Sequence, residues 1–317
     1  MGVPQLRGGG WTVWVMIADH YEPYWRNADS DVASRRIEFW RRRWPDIAAR
    51  HADSCGKPPK YTFFYPDEQY DGRLLDRLAE MADLGIADVE VHMHHDGEGE
   101  ANFVERIEKF TSTLYERHSL LREESGKVRF GFIHGNWALD NSRPDGRWCG
   151  LNNELRLLRD LGCYADFTMP AAPHAMQTRM VNTVYWATDD TTCPKSHDTG
   201  IPHTGGTPPR GDLLMIPGPL GLNFRGSRLV PRLETGEIAF HDRATLARVR
   251  SWLALAPRIG TNIFLKLFTH GAQEDNAFAL LEGGGLDDCF RLLASECKRL
   301  GGKVRFASAH EARKAIV

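Results

Sequence analysis

The stretch GRLLDRLAEMADLGIADVEVHMHH, residues 72–95, sets out one unit of the chain's architecture. Leu75, Leu78, Ala79 and Ala82 recur at helical spacing, and Leu84-Gly85 closes that helix with a C-terminal glycine. From Asp88 to His94 the pattern turns β-rich and runs directly into histidines. A helix followed at once by such a strand predicts part of a parallel sheet with helical crossovers. The alternation extends in both directions. Strands are predicted at 11–18, 60–65, 88–94, 128–133, 165–169, 213–216, 262–268 and 303–306, and helices at 31–51, 72–84, 101–118, 152–161, 243–256 and 287–300.

Seven to eight such units in 317 residues without an internal linker predict an α/β chain forming a closed or nearly closed (β/α) barrel, distorted and TIM-like, rather than an open doubly wound sheet. One domain over residues 1–317 is expected, with long loops at 191–211 and 217–236 that are rich in Gly, Pro and polar residues. Gly8-Gly9-Gly10 precedes the first strand instead of opening a helix, which removes dinucleotide and P-loop readings.

Composition narrows the function. Hydrophobic residues make up 42% and charged residues 26%, enough for a sizeable core and unlike a disordered polymer. Lys+Arg 40 against Asp+Glu 42 gives a net charge of -2, so nothing global attracts a phosphate backbone and no nucleic-acid partner is expected. The basic run from Arg35 to Arg43 is interleaved with Ile37, Phe39 and Trp40, as in an amphipathic helix with solvated arginines. The apolar run 11–18 is too short to span a membrane, no cleavage site follows it, and the six cysteines contain no C-x-x-C pair. Free thiols in a reducing cytoplasm are therefore expected.

Histidine is the unusual component, 13 residues against 8 Met. In a βα barrel the loops after the strand C-termini build the active site. The first strand delivers Asp19-His20-Tyr21-Glu22, the third His92-Met93-His94-His95-Asp96, the fourth His134-Gly135-Asn136-Trp137 with Asp140 beyond, and the seventh Thr269-His270-Gly271. His92 and His94 stand two apart, so both point to one face and can converge on one ion. With Asp19 from a neighbouring strand end they form a His/His/Asp set that leaves a position open for water or substrate. Ligand type suits zinc, with cobalt, nickel, manganese and iron as alternatives.

These residues, in this order, carry a resemblance. The strand ending in Asp19, the motif Glu90-Val91-His92-Met93-His94, the segment His134 to Asp140 and the late strand Phe264-Leu265-Lys266-Leu267-Phe268-Thr269-His270 make the chain similar to the polysaccharide deacetylase family, the NodB-like group of carbohydrate esterase family four. The resemblance implies a metal-dependent hydrolase that removes an N-acetyl group from an amino sugar or glycan. It implies Asp19 as a metal ligand, His94 as the first histidine of the second motif, and His270 as the general acid. The chain departs from the family where Ala18 stands for its base Asp, where Glu98 stands four residues past His94 instead of His, and where His134 to Trp137 replaces its arginine motif. His92 is then read as the replacement ligand, with His95 or Glu98 in reserve, and Asp140 as the base in preference to Glu22 and Asp96. His20, His95, His134, Asn136 and Trp137 are expected to bind substrate. Trp148, Tyr185 and Trp186 are either rim aromatics for sugar rings or core. Two other readings are an amidohydrolase or phosphoesterase on the same barrel, and a non-catalytic glycan-binding barrel.

Overall fold

The first strand, β1 (Thr12–His20), is buried on both sides: Val13, Val15 and Ile17 enter one apolar cluster, Met16 and Ala18 another. Apolar residues on both faces belong to an interior strand of a parallel sheet. The computed structural model describes residues 10–206, 209–223 and 231–317. Residues 1–9, including Gly8 and Gly9, and residues 207–208 and 224–230 of the two predicted loops lie outside the described residues.

After β1 the chain runs through α1 (Ser30–Arg50), β2 (Tyr61–Pro66), α2 (Gly72–Asp83), β3 (Ala87–Met93), α3 (Glu100–His118), β4 (Arg122–Glu124) and β5 (Lys127–His134). There follow α4 (Glu154–Leu161), β6 (Cys163–Asp166), β7 (Tyr185–Ala187), β8 (Ile201–Pro202), β9 (Leu213–Met215), β10 (Gly221–Asn223) and β11 (Arg232–Glu234). The C-terminal part holds α5 (Leu246–Leu255), β12 (Arg258–Ile259), β13 (Asn262–Thr269), α6 (Glu274–Leu281), α7 (Gly285–Arg299), β14 (Lys303–Phe306) and α8 (Ala309–Ile316). The eight predicted strands and six predicted helices are all present, with ends shifted by a few residues. The remaining elements are short, and too few apolar residues recur in them to register as a period.

The fold is a mixed α/β arrangement around a mostly parallel sheet in the order β12-β13-β1-β2-β3-β5-β6-β9-β7-β8. β1 pairs with β13 from Thr12 to Asp19, and its other edge is shared between β14 and β2. Parallel pairing of β13, β1, β2, β3 and β5 brings their C-terminal ends to one rim. Among the described residues no ladder joins β8 to β12. The chain after β9 instead reaches β13 through a single bridge, Glu237 to Phe268. The predicted loops also carry structure of their own: 191–211 contains β8, and 217–236 contains the antiparallel β10–β11 pair.

One face of the sheet is covered by helices, through Trp40 and Trp44 of α1, Leu75 and Leu78 of α2, Phe103 and Ile107 of α3, and Trp252 of α5. Residues 35–43 form the expected amphipathic helix, with Ile37 and Trp40 buried and Arg42 in solvent, but Arg36 is itself buried, pairing with Glu274 and donating to the Pro23 carbonyl. The other face carries Met16, Ala18, Phe64, Ile133, Leu214 and Phe264, covered by α8. Leu214 lies toward one end of the strand order and Phe264 toward the other, so the sheet curls around this second cluster. Among the described residues, no helix is long and apolar enough to cross a membrane.

The segment between β11 and α5 is held by Arg248. Its guanidinium donates to both Glu234 carboxylate oxygens, at 2.9 and 2.7 Å, and to the Glu237 carbonyl at 2.6 Å, and both side chains of this ion pair are fully buried. Removing Arg248 takes from Glu234 a buried counter-charge and two hydrogen bonds. Arg248→Met is expected to lower unfolding stability by about 3–5 kcal/mol, read from urea unfolding followed by tryptophan fluorescence. A loss below about 1 kcal/mol, the range of an exposed pair, would contradict this role.

Candidate metal centre

Strand side chains alternate between the two faces, and this alternation sorts the polar residues at the rim. In β1, Ile17 packs on the helix-covered face, so Asp19 does too, while Ala18 and His20 face the opposite side. Glu22 follows His20 at the same two-residue spacing. In β3, Val89, Val91 and Met93 take the helix-covered face and leave His92 and His94 on the other. In β13, Leu265 and Leu267 are helix-facing, while Phe264, Phe268 and His270 are not.

Glu22, His92 and His94 come together on that second face, each with a ligand atom within 4.8 Å of the others. Glu22 Oε1 lies 3.3 Å from His92 Nε2 and 3.5 Å from His94 Nε2. His92 Nδ1 donates to the Ile133 carbonyl at 2.9 Å, and His94 Nδ1 lies 2.6 Å from Glu68 Oε1. With Nδ1–H engaged, His92 turns Nε2 toward the Glu22 carboxylate, where either a proton or a shared cation joins the two, and outer partners of this kind orient metal-binding histidines. Two imidazoles and a carboxylate fit zinc or another first-row divalent ion, with coordination positions left open. Burial opposes ionisation of Glu22, but the hydrogen bond and charge of His92 outweigh it and hold the carboxyl below its ordinary range. Gly135 provides the room for His94, since a Cβ there would sit 2.2 Å from the imidazole Cδ2.

His20 connects this group to a cleft. Its ring centroid lies 5.2 Å from that of His92, 4.8 Å from His270 and 6.3 Å from Trp137. Burial, with His270 and His92 nearby, pushes His20 well below the ordinary imidazole range. Burial likewise lowers His270, against the opposing charges of Glu22 and Glu237. The cleft, about 290 Å³, is lined by Trp137, Phe268 and His270 together with His174, Pro170 and Glu237. His174 stacks on Trp137 at 5.8 Å. A larger cavity, about 640 Å³, lies over Asn141, Arg179 and Lys195 and includes none of these histidines.

Several expectations change. Asp19 is not among the converging ligands: Tyr61 donates to its Oδ2 at 3.0 Å and the Gly271 amide to its Oδ1 at 2.6 Å, on the helix-covered side. Trp40 donates to the Gly271 carbonyl at 2.8 Å, so Asp19 fixes the backbone next to His270. Glu22, and not Asp19, lies with His92 and His94 in a group that could hold a metal ion, for it is Glu22 that shares their face. Asp140 is not beside this group either. It accepts from the Ser196 amide at 2.6 Å and its own amide donates to Glu154, so its contacts are with the chain around Ser196 and α4.

His95 and His134 are fully buried on the helix-covered side and cannot reach a substrate. With Cys149 and Glu154 they form a second buried group that could hold a metal ion. Of the residues expected to bind substrate, His20 and Trp137 sit at or beside the cleft, and Asn136 is half-buried next to them in sequence with a left-handed backbone. Glu98 pairs with Arg106, Tyr185 is core, and Trp186 donates to His203. Glu22 is expected from the sequence only as an alternative base, and Glu68, Cys149 and Glu154 are not expected at all. The alternation through Ala18, His20 and Glu22 signals Glu22, whereas Glu68, Cys149 and Glu154 arrive from a turn, a loop and a helix start with no period to mark them.

Neither a protein-family model nor a curated protein matches the chain.

His92→Ala and His94→Ala are each expected to remove one divalent ion per chain, measured by metal analysis after dialysis, whereas Asp19→Asn keeps it. Loss of that ion from Asp19→Asn would restore Asp19 as a ligand. Burial pushes the Asp19 carboxyl up to about 8, so the folded chain holds a proton that the unfolded chain releases near pH 4. Stability is therefore lost as pH rises between those values, at up to about 1.4 kcal/mol per pH unit. Asp19→Asn, which mimics the protonated carboxyl, should show a shallower decline across pH 5–8 in urea midpoints. Gly135→Ala displaces His94 and is expected to weaken metal binding by about 10–100-fold, the scale of disturbed ligand support.

Proposed function

We propose that this chain is a divalent-metal-dependent hydrolase that removes N-acetyl groups from an amino sugar or short glycan, on a curled, barrel-like β/α fold related to the polysaccharide deacetylases. The observation that carries the reading is the convergence of Glu22, His92 and His94 beside His20, His270 and an aromatic cleft. Glu22, His92 and His94 would hold the ion, and zinc is the favoured metal for this donor set. When bound, a divalent ion supplies Lewis-acid polarisation of the amide carbonyl and lowers the pKa of water.

The protein's own residues account for the rest. Trp137 and Phe268 offer apolar surface to the ring faces of a sugar, and a cleft of about 290 Å³ is of the order of one or two sugar units. His270 lines the cleft with its ring near His20, where it can move a proton to the nitrogen that leaves. Water adds to the acetyl carbon, the C–N bond breaks, and acetate and a free amine result. Asp19 and Trp40 anchor Gly271 and so hold His270 in place. Glu68 anchors His94, and the Ile133 carbonyl anchors His92.

The test is acetate release from N-acetylated mono- and oligosaccharides by protein loaded with zinc, cobalt, nickel or manganese, alongside small amides and phosphate esters. Turnover of an N-acetylated sugar is expected, with kcat falling about 100-fold or more in His270→Ala while metal content is retained. Turnover confined to phosphate esters would overturn the proposal, and so would sugar binding without acetate release under every metal.

A further inference from the structure

The group formed by His95, His134, Cys149 and Glu154 is separate from the centre that Glu22, His92 and His94 build, and it lies on the other face of the sheet. Its members come from four places: His95 just past β3, His134 at the end of β5, Cys149 in the connection that follows, and Glu154 at the first residue of α4. All four are buried, and the side chains of His95, His134 and Glu154 have no exposed surface. Glu154 Oε1 lies 3.1 Å from His95 Nε2 and 3.7 Å from His134 Nε2, and Cys149 Sγ lies 3.3 Å from Glu154 Oε2. Four ligands at about 2.0–2.3 Å around one tetrahedral ion stand about 3.3–3.7 Å from one another, and here all four residues offer ligand atoms within 4.8 Å of one another.

The hydrogen bonding is incomplete without an ion. His134 Nδ1 donates to the Gly135 carbonyl, which leaves Nε2 as an acceptor aimed into the group, and that atom is buried with no partner. A buried polar atom in this state bears its desolvation penalty uncompensated. Glu154 accepts from the Asp140 amide at 2.6 Å, but among the described residues no lysine or arginine pairs with it. A carboxylate out of water requires a cation or a proton. The donor set of one thiolate, two imidazoles and one carboxylate suits a borderline-soft divalent ion and excludes calcium and magnesium, which take oxygen.

We propose that His95, His134, Cys149 and Glu154 form a closed, four-ligand structural site for zinc, which staples the connection from β5 to α4 against the rim of the sheet. That connection carries Trp137 to the cleft, so the ion would set the position of a cleft wall without touching substrate. Cys149 gives up its thiol proton on binding, as a coordinating thiol does. The site stands or falls independently of the hydrolase reading, because none of its ligands belongs to the other centre.

The experiment uses the full chain with the first centre disabled by His92→Ala, loaded with zinc or cobalt. One ion per chain is expected to remain, and wild-type chain is expected to hold two. X-ray absorption of the zinc form should contain a sulfur scatterer at about 2.3 Å, and the cobalt form should show a near-ultraviolet thiolate-to-cobalt charge-transfer band. Adding Cys149→Ala should abolish the band, whereas Cys289→Ala, which removes another buried thiol, should leave it unchanged. If Cys149→Ala does not fold, the absorption spectrum of the wild-type zinc protein still decides, because the first centre contains no sulfur. Absence of a sulfur scatterer from fully loaded wild-type chain, or a band that survives Cys149→Ala, overturns the proposal.

Discussion

Each residue at the end of a strand belongs to one face or the other of the sheet, and its neighbour belongs to the opposite one. This period of two is the constraint on which the chemistry of the molecule depends. It sends His20 toward His92 while Asp19 turns to Tyr61 and the Gly271 amide. It separates His94 from His95, though the two are adjacent in the chain. Polar groups that read as one rim of histidines become two groups, one partly exposed beside a cleft and one fully buried under the helices.

Burial gives the arrangement its electrostatic character. Deeper on the cleft side, Lys266 places its ammonium against the Phe167 and Met169 carbonyls, and burial lowers it to about 7. Glu90 on β3 accepts from the Gly131 amide at 2.5 Å and from Tyr164 at 2.6 Å, with Arg122 as its counter-charge, yet burial still raises it to about 7. These groups join strands through buried side-chain hydrogen bonds in addition to the ladders. The bond from Lys266 on β13 to the chain just past β6 is the clearest case, because those two strands are not neighbours in the pairing order.

The long elements were legible in the chain because each carries a period. The apolar repeats of α1, α2 and α3 and the runs of β1, β3, β5 and β13 stand where the sequence predicts them; β1 and β5 end in the predicted His20 and His134, and His94 and His270 directly follow β3 and β13. The candidate site was legible only in part. His92 and His94 follow from their spacing alone, and Trp137, His20 and His270 from their place after a strand. Glu22 was weighed as a base and set below Asp140, although it shares the spacing of Ala18 and His20. Asp140 followed a strand end as required, but a left-handed backbone at Asn136 and again at Asp140 turns that connection toward Ser196.

By itself the sequence determined the alternation of helices and strands, the direction of the sheet and the collection of histidines at one end of it, since these depend on local periods and on the order of motifs. Only the tertiary structure decided which carboxylate accompanies which histidine. Glu22 to His92 spans 70 residues and Glu154 to His95 spans 59, and such pairs form because strands stand side by side and a helix start is brought beneath them. No local pattern encodes those distances. They follow from the register of neighbouring strands and from the face to which each side chain is turned.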